Sequence, residues 1–360
     1  MRKFGLILLI LCLLCACSAS DVQTEAAAPT AAPTAVPTPE PVAEEVIFLT
    51  QTIAPTLPPT PEPTPTPEPT PAPTPTPEPT PEPTGLLGVK YLERFSTEPV
   101  LDGWSYRDDS MSLSVEKFTV YETYGKVQTY YVADIYVQDV TLIRTAAARG
   151  DFKRGYGRRV DEIATDVNAL LAIDGDSYFG FKDSIVYRNG ELYRKNLRTN
   201  TDLCILYRDG VMETKKWGTF SLRDIIDADP WQVWSFGPRL LEEDGSPRTI
   251  KHRLAYENPR AAIGYYEPGH YCFVIVDGRQ IVDDAGTFSD GMTLDQLSQL
   301  MSDLGCSAAY NLDGGGSAEM YWNGGVISHT SNAKRVVSDI IYLVPAWMEA
   351  SSEAPETEEP

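Results

Sequence analysis

Histidine and cysteine are scarce in this chain of 360 residues, and their scarcity excludes several kinds of chemistry. The only histidines are His252, His270 and His329, and none lies in a glycine-rich or aspartate-rich motif. A histidine-based nucleophilic triad and a histidine-rich zinc site are therefore not expected.

Three of the six cysteines fall within the first seventeen residues, which leaves Cys204, Cys272 and Cys306 for the rest of the chain. An odd number without CxxC spacing fits neither a disulfide framework nor a zinc site. Cys272 and Cys306 each lie in an apolar, strand-like run, where we expect a buried free thiol. A bridge between these two cysteines is the alternative.

A hydrophobic run long enough to span a bilayer is missing from the N-terminus. The cationic start Met1-Arg2-Lys3 is followed by the apolar run Leu6 to Leu14, which is short and typical of a signal peptide. The run ends in Leu14-Cys15-Ala16-Cys17, which resembles a bacterial lipobox. We therefore expect residues 1–16 to be a lipoprotein signal peptide and Cys17 to be lipidated, which makes the protein extracytoplasmic and anchored to the cell membrane. The alternative, an ordinary signal peptide cleaved nearby, also implies export.

Lysine and arginine are absent from residues 18–84, which contain nine acidic residues and repeated Thr-Pro-Glu-Pro-Thr units. Such a composition cannot bury a core and favours extended polyproline II structure. Residues 17–84 are therefore expected to be a disordered linker rich in Pro, Thr and Glu, acting as a stalk or as a simple tether.

The net charge of −21 is concentrated in the terminal segments. Setting aside the nine acids of the linker, five more in residues 349–360, and the basic Arg2 and Lys3 leaves −9 for the remainder. This moderate acidity argues against nucleic acid as a partner but is compatible with a small anion that is bound locally. Residues 349–360 are expected to be an acidic disordered tail.

Residues 85–348 are long enough for one domain with a substantial core. Short β-branched runs and Gly/Asn turns predict a sheet-rich α+β fold with buried helices. The clearest predicted strands are Tyr130 to Val140, Ile185 to Tyr187 and Tyr271 to Val276. Helices are predicted from Val160 to Val167 and from Thr293, which with Gln296 forms a capping box, to Gly305.

Each predicted helix is followed by a buried strand and then by an Asp-Gly loop. Val167 to Ile173 leads into Asp174-Gly175-Asp176-Ser177, and Cys306 to Leu312 leads into Asp313-Gly314-Gly315-Gly316-Ser317. Because functional sites are often built from loops that leave strand ends, these two loops are the candidate site.

The three consecutive glycines Gly314, Gly315 and Gly316 indicate a backbone that adopts positive φ or approaches a ligand closely. Successive N–H groups in such a loop can form a nest for a phosphate-like anion, and Asp313 beside them supplies a carboxylate. The alternative is a tight hairpin in which Asp313 is only a turn residue.

Seven segments together resemble the phosphodiester glycosidase family and cover most of residues 130–344. That family includes the lysosomal uncovering enzyme, which removes N-acetylglucosamine from a sugar phosphodiester on glycoproteins, and bacterial members associated with exopolysaccharide. The segments are Ala172-Ile173-Asp174-Gly175-Asp176-Ser177-Tyr178-Phe179, Ser235-Phe236-Gly237-Pro238-Arg239-Leu240, Asn258-Pro259-Arg260-Ala261-Ala262-Ile263-Gly264, Val274-Ile275-Val276-Asp277-Gly278-Arg279, Gly291-Met292-Thr293-Leu294, Asn311-Leu312-Asp313-Gly314-Gly315-Gly316-Ser317 and Arg335-Val336-Val337-Ser338-Asp339.

The resemblance implies a hydrolase, a glycosidase that acts on glycosyl phosphodiester linkages in cell-envelope or exopolysaccharide material. A leaving phosphate is a weak base, so charge neutralisation and a carboxylate at the anomeric carbon matter more than a general acid. The candidate catalytic residues on the matching motifs are Asp313 first, then Asp174, Asp176 and Asp277. The candidate phosphate-binding residues are Arg260, Arg279, Gly314, Gly315, Gly316, Ser317 and Arg335. The alternative role for each Asp is that of a turn residue without a part in catalysis, and the alternative role for Arg260 is a structural ion pair.

Two departures from the family pattern leave other functions open. The family commonly has Asn where this chain has Asp174, and Ser or Thr where it has Ala318 and Glu319. A non-catalytic polysaccharide-binding or assembly lipoprotein is one alternative. A metal-dependent phosphodiesterase is another, with Asp174, Asp176 and Asp313 as oxygen ligands for Ca²⁺ or Mg²⁺, although the sequence makes no cofactor certain.

The lipobox resemblance leads to a test of anchoring. Cys17→Ala should release the protein from membranes and leave the activity of the domain intact, because the acyl chains that hold it would have no attachment point. Fractionation of membranes and metabolic labelling with a fatty acid measure this directly. A variant that stays membrane-bound would show that the lipoprotein interpretation is wrong.

Overall fold

The structure is a computed structural model, and it describes residues 87, 89–121, 127–180, 182–252, 254–281, 288–329 and 334–352. The predicted signal peptide, Cys17 and the Pro/Thr-rich linker lie outside the described residues. Within these ranges, no helix has both the length and the apolar character needed to cross a bilayer.

The described part of the chain is mostly β-structure with four α-helices, which confirms the predicted sheet-rich α+β class. In chain order, the strands are β1 (Val100–Asp102), β2 (Ser105–Arg107), β3 (Met111–Tyr121), β4 (Val127–Val137), β5 (Arg144–Ala147), β6 (Leu171–Asp174), β7 (Ile185–Arg188), β8 (Glu191–Lys195), β9 (Leu203–Leu206), β10 (Met212–Lys215), β11 (Gln232–Trp234), β12 (Arg260–Glu267), β13 (His270–Val276), β14 (Gln280–Ile281), β15 (Phe288–Ser289), β16 (Ala308–Asn311), β17 (Met320–Trp322), β18 (Gly325–Val326) and β19 (Asp339–Leu343). The α-helices are α1 (Val160–Asp166), α2 (Leu222–Asp227), α3 (Leu294–Asp303) and α4 (Ala346–Ser352), and short 3₁₀ helices cover Val89–Arg94, Val140–Leu142 and Gly315–Ser317.

The strands form three antiparallel sheets and one small β14–β15 ribbon. The first sheet has seven strands in the order β1-β2-β3-β4-β13-β12-β16. The second sheet has the order β10-β9-β11-β7-β8, and the third has the order β18-β17-β6-β19-β5. Neighbours in the sheet are often distant in the chain, so loops from separate parts of the sequence meet at the sheet ends.

All three sheets contribute one face to a single shared core. Phe273 of the first sheet, Trp234 of the second and Ile173 of the third are fully buried in the same apolar cluster. Because successive strand residues point to opposite faces, each sheet has a second face, and the apolar side chains on that face must pack against another element.

Each opposite face is covered by one helix. Leu297 of α3 packs on the first sheet, Ile225 of α2 on the second and Ile163 of α1 on the third. The short amphipathic helices are thus stabilised by packing on a sheet, since helices of this length are marginal alone.

The predicted start and end of α3 are confirmed. Thr293 accepts the N–H of Gln296 (3.1 Å), and the Gln296 side chain accepts the N–H of Thr293 (2.8 Å), which closes the capping box. Gly305 follows the helix with φ of +83°, a conformation that a residue with a Cβ rarely adopts.

The strand predicted from Val167 to Ile173 begins later than the sequence indicated. The run from Val167 becomes extended only at Leu171, because Asn168 takes φ of +49° and turns the chain after α1.

Near the C-terminus, α4 continues to Ser352, beyond the domain end that we expected at residue 348. Trp347 donates to the Tyr106 hydroxyl (3.1 Å) and Glu349 forms an ion pair with Arg144, so the domain itself anchors the start of the acidic tail.

The capping box of α3 can be tested by Thr293→Ala. This change removes the acceptor for the Gln296 N–H and should lower the free energy of unfolding by about 1 kcal/mol. Thermal unfolding should show a melting temperature lower by about 2–4 °C. Thr293→Ser keeps the hydroxyl and is the matched control. Equal melting of Thr293→Ala and wild type would mean that the box does not stabilise α3.

Candidate active site

A pocket of about 270 Å³ lies where the three large sheets end. One strand from each sheet leads into it: β6 of the third sheet is followed by Asp176, β11 of the second by Ser235, and β16 of the first by Asp313. The charged residues that line it are Asp176, Asp183, Asp313, Arg198, Arg260, Arg279 and Arg335. The pocket is therefore rich in arginine although the chain as a whole is acidic.

The two Asp-Gly loops meet at this pocket, as the sequence predicted. The N–H of Asp313 donates to the carbonyl of Gly175 (3.1 Å), which joins the loop after β16 to the loop after β6. The hairpin alternative for the glycine loop is wrong, because β16 and β17 on either side of it belong to different sheets.

The glycine loop is pressed against the start of β12. The N–H of Gly315, which has φ of +67°, donates to the carbonyl of Pro259 (2.8 Å). A Cβ at Gly314 would lie 2.7 Å from the same carbonyl oxygen, so only glycine fits there. Pro259 immediately precedes Arg260, and the loop and that arginine are thus fixed together.

The loop contributes fewer free N–H groups than a complete nest would. Gly315 donates to Pro259, and Ser317 donates weakly to the carbonyl of Gly314 (3.4 Å) within a 3₁₀ turn. Among the described residues, the N–H groups of Gly314 and Gly316 have no acceptor, and of these two glycines only Gly314 lines the pocket. Phosphate binding by this loop stays a prediction that now depends mainly on Gly314.

Asp313 is held on both carboxylate oxygens. Ser317 Oγ donates to Oδ2 (2.9 Å), while Arg335 pairs with Oδ1 and also donates to Ser317 Oγ (2.9 Å) and to the Gly314 carbonyl (2.9 Å). Burial raises the pKa of Asp313, and Arg335 and Ser317 oppose that effect. The carboxylate is therefore fixed in position at the pocket wall.

Arg260 is a buried cation held by neutral groups. Its Nε donates to the Met292 carbonyl (2.9 Å), and its Nη2 donates to the carbonyls of Leu254 (2.8 Å) and Tyr256. Burial, with a smaller effect from Arg279, lowers its pKa to about 10, so it is still charged at neutral pH. Within the described residues no carboxylate forms a salt bridge with Arg260, which leaves the structural ion-pair alternative without a partner there.

Arg279 lines the same pocket from the solvent side. It has φ of +58°, is exposed, and its Nη2 donates to the side-chain oxygen of Asn258. Asn258 is two residues from Arg260, so one short segment positions both guanidinium groups.

Asp176 belongs to a buried ionic network that sequence reasoning did not foresee. Arg188 on β7 donates through Nη2 to Asp176 Oδ2 (2.9 Å) and through Nε to Asp339 Oδ2 (2.7 Å). Burial works to lower the pKa of Arg188, but Asp339 and Asp176 raise it above its usual value. Burial also raises the pKa of Asp339 to about 6, against the effect of Arg188.

The network explains what Asp176 does in the fold. Its Oδ2 also accepts the N–H of Ser235 (2.9 Å), and its own N–H donates to Asp339 Oδ1 (2.9 Å). Asp176 thereby joins the second and third sheets at the pocket. In the sequence, Asp339 could have been noticed because it lies in the last of the family-like motifs. Arg188 lies in an apolar strand, and no motif marks it.

Asp174 and Asp277 were predicted as catalytic, but neither lines the pocket. Asp174 is completely buried; Oδ1 accepts the Glu319 N–H (3.3 Å) and Oδ2 has no partner among the described residues. Burial, together with repulsion from Asp313, raises its pKa well above the usual value. Asp277 accepts the N–H of His329 (3.0 Å), and burial raises its pKa to about 7. Both residues therefore lie outside the lining of the pocket, although each is two residues from one that lines it, Asp176 and Arg279 respectively.

The predicted metal ligands do not converge in the described part of the chain. In those residues, no three side chains of His, Cys, Asp or Glu are grouped as a metal ion would require. Asp176 is paired with Arg188, and Asp313 with Arg335.

Comparisons with known proteins agree with this architecture. Residues 167–344 match the phosphodiester glycosidase family model. The chain is 28% identical over 167 residues to the SPbeta prophage-derived uncharacterized protein YomE of Bacillus subtilis strain 168, an alignment that covers 45% of this chain and 24% of YomE. The chain thus spans about a quarter of the length of that curated relative.

A solved structure shares the fold. The zebrafish N-acetylglucosamine-1-phosphodiester alpha-N-acetylglucosaminidase catalytic domain, auto-inhibited by its pro-peptide, superposes with a TM-score of 0.52 at 20% identity, covering 69% of this chain and 88% of that one. The family-model match assigns residues 167–344 to the phosphodiester glycosidase family, which confirms the resemblance seen in the sequence.

The buried carboxyl of Asp174 gives a prediction with a defined pH dependence. Its pKa is raised in the folded protein, so folding keeps a proton that the unfolded chain releases above about pH 3.8. Stability contributed by this group is complete below that value and is lost as pH rises towards the folded pKa. Asn cannot ionise, so the melting temperature of Asp174→Asn relative to wild type should increase as the pH is raised above about 4, until the pH reaches the folded pKa of Asp174.

The matched control is Asp227→Asn, in which the replaced carboxylate is exposed and forms only a surface pair with Arg223. Its melting temperature should follow that of wild type across the same range. A pH-independent difference for Asp174→Asn would show that Asp174 is already ionised in the folded state.

Proposed function

We propose that this protein is an extracytoplasmic, lipid-anchored hydrolase of glycosyl phosphodiester linkages in cell-envelope or exopolysaccharide material. Family membership supports the reaction class. The observation that carries the proposal is the position of Arg260, which lines the same pocket as Asp313. Its guanidinium is buried, and all of its hydrogen-bond partners among the described residues are carbonyl oxygens.

The charge around Arg260 favours a phosphate group. A guanidinium out of water is stabilised most by an anion, and its planar fork matches two phosphate oxygens. Arg279 adds a second positive charge, and lowering of the Arg260 pKa reflects both burial and that neighbour. A bound phosphodiester, whose single negative charge is shared by two non-bridging oxygens, could pair with both guanidinium groups, whereas a neutral sugar would offer no charge to either.

The carboxylate of Asp313 is placed for the other half of the linkage. In the proposed reaction the bond between the anomeric carbon and the phosphate oxygen breaks, and the phosphomonoester leaves with the bonding electrons. Asp313 acts at the anomeric carbon as nucleophile or as the base for the attacking water, and the water supplies the hydroxyl of the free sugar. Arg260, Arg279 and the Gly314 N–H hold the departing phosphate.

The departures from the family pattern lie outside the pocket. Asp174, Ala318 and Glu319 are all buried and none lines it. Glu319 pairs with Lys334 (3.3 Å), and burial favours the neutral form of Asp174. These acids therefore need not repel a phosphate, which favours the enzyme over a binding protein that has lost its chemistry.

Product analysis with the purified chain, on a panel of sugar phosphodiesters with and without a chelator, tests the proposal. Free sugar plus phosphomonoester, unaffected by chelator, supports it. Chelator-sensitive cleavage of the other phosphate ester bond would point to a metal-dependent phosphodiesterase. Binding without turnover would point to a polysaccharide-binding or assembly lipoprotein.

A pair of variants separates phosphate binding from bond cleavage. Arg260→Ala should raise KM and lower kcat/KM, because the phosphate loses its buried cation in both ground and transition states. Asp313→Asn keeps the shape of the side chain but loses its charge, so substrate should still bind while kcat falls by about 10²-fold or more. Steady-state kinetics on a hydrolysed diester measures both effects.

Two controls make the result specific. Arg260→Lys keeps a charge without the fork and should fall between wild type and Arg260→Ala, while Arg223→Ala on the exposed surface of α2 should change nothing. Circular dichroism must first confirm that each variant is folded. A folded Asp313→Asn with normal turnover would remove Asp313 from the mechanism.

A further inference from the structure

We infer that Cys272 and Cys306 form an intramolecular disulfide in the mature protein. Their sulfur atoms lie 3.7 Å apart and both side chains are buried. A disulfide bond of about 2.0 Å needs the two sulfurs to approach by about 1.7 Å. The site is distinct from the pocket, which neither cysteine lines.

The sheet has a gap that accommodates the two sulfurs. Gly264 on β12 pairs directly with Cys272 on β13, and a Cβ at Gly264 would lie 2.6 Å from the Cys272 sulfur and 2.7 Å from the Cys306 sulfur. Glycine inside a buried strand is unfavourable on its own. Its presence here lets the thiols of two different segments meet over β12, beneath Met301 of α3.

Cys306 is able to move towards Cys272 because it lies between regular elements. It follows α3 and Gly305 and precedes β16, with its N–H donating to the Met301 carbonyl (3.2 Å). A small shift of this connection closes the bond without disturbing the pairing of β12 with β13.

The bond would tie down the strand that carries the active-site loop. Cys306 leads directly into β16, which ends at Asn311, two residues before Asp313. Cross-linking it to β13 closes a loop with 33 residues between the two cysteines, which includes α3, and such a loop gains stability mainly by restricting the unfolded chain.

The chemistry is thiol–disulfide exchange with a disulfide oxidant, either a small-molecule disulfide or a thiol–disulfide oxidoreductase. One cysteine thiolate attacks the oxidant and forms a mixed disulfide, and the second displaces the oxidant's remaining thiol. The two cysteines lose two electrons and two protons, and the oxidant leaves as two thiols. The hydrogen bond with Cys306, together with burial, raises the pKa of the Cys272 thiol, so exchange is expected before the sheet closes over it.

Peptide mapping of the full chain, refolded with oxidised and reduced glutathione, tests this directly. Trypsin separates Cys272 (residues 261–279) from Cys306 (residues 280–334), because no Lys or Arg lies inside either peptide. Alkylation of the denatured protein without reductant should yield these two peptides joined, lighter than their sum by two hydrogen atoms. Cys204 should be alkylated in the same sample. Recovery of both peptides separately alkylated would overturn the proposal.

A stability measurement gives a second, independent readout. After unfolding and refolding with reductant, the wild type should melt about 5–10 °C lower than the oxidised form. The Cys204→Ala control should show the same difference, and the double variant Cys272→Ala with Cys306→Ala should show none. A reductant effect that persists in the double variant would contradict the assignment, whatever the catalytic activity of the protein. If the double variant fails to fold, the peptide map of wild type still decides.

Discussion

The buried arginine Arg188 is the interaction on which the architecture of the site depends. It has no solvent exposure and binds two carboxylates, Asp176 in the loop after β6 and Asp339 on β19, both of which are strands of the third sheet. Its own strand, β7, belongs to the second sheet. A charge buried this deeply is tolerated only when its partners are fixed, and removing one partner of such a pair typically costs about 3–5 kcal/mol. The network therefore holds two sheets at a defined separation, and the pocket opens where they end.

The arginine residues of the pocket differ from Arg188 both in position and in the groups that surround them. Arg188 is fully compensated, whereas Arg260 is surrounded by carbonyl oxygens and lies close to Arg279. The same residue type thus stabilises the fold in one position and remains available to an anion in the other. The distinction comes from the partners and not from burial, because both guanidinium groups are buried.

Local signals in the sequence predicted much of this structure. The capping box of α3, the Asn189-Gly190 turn with both residues at positive φ, and the two Asp-Gly loops all depend on residues that are neighbours in the chain. The resemblance to a known family added Arg260, Arg279 and Arg335, which do line one pocket.

What the sequence could not show was which carboxylates face that pocket. Asp174 and Asp176 are two residues apart, yet only Asp176 lines it, and Asp176 is engaged by Arg188 from a strand of another sheet. The helix α4, which crosses residue 348, was not predicted either, because it is held by Trp347 and Glu349 through contacts with residues more than two hundred positions away. Long-range partners of this kind have no local pattern.

The contact between Gly314 and the Pro259 carbonyl restricts how the specificity of this site can change. A side chain at Gly314 would push against the backbone that carries Arg260, so neither the glycine loop nor the arginine can be altered independently. Asn258 and Arg279 are at the accessible edge of the pocket, where exchange of a side chain leaves the backbone in place. We therefore expect natural divergence among relatives, and laboratory redesign towards other leaving groups, to change side chains at the edge of the pocket first. The glycine loop and the buried cation Arg260 should be retained together.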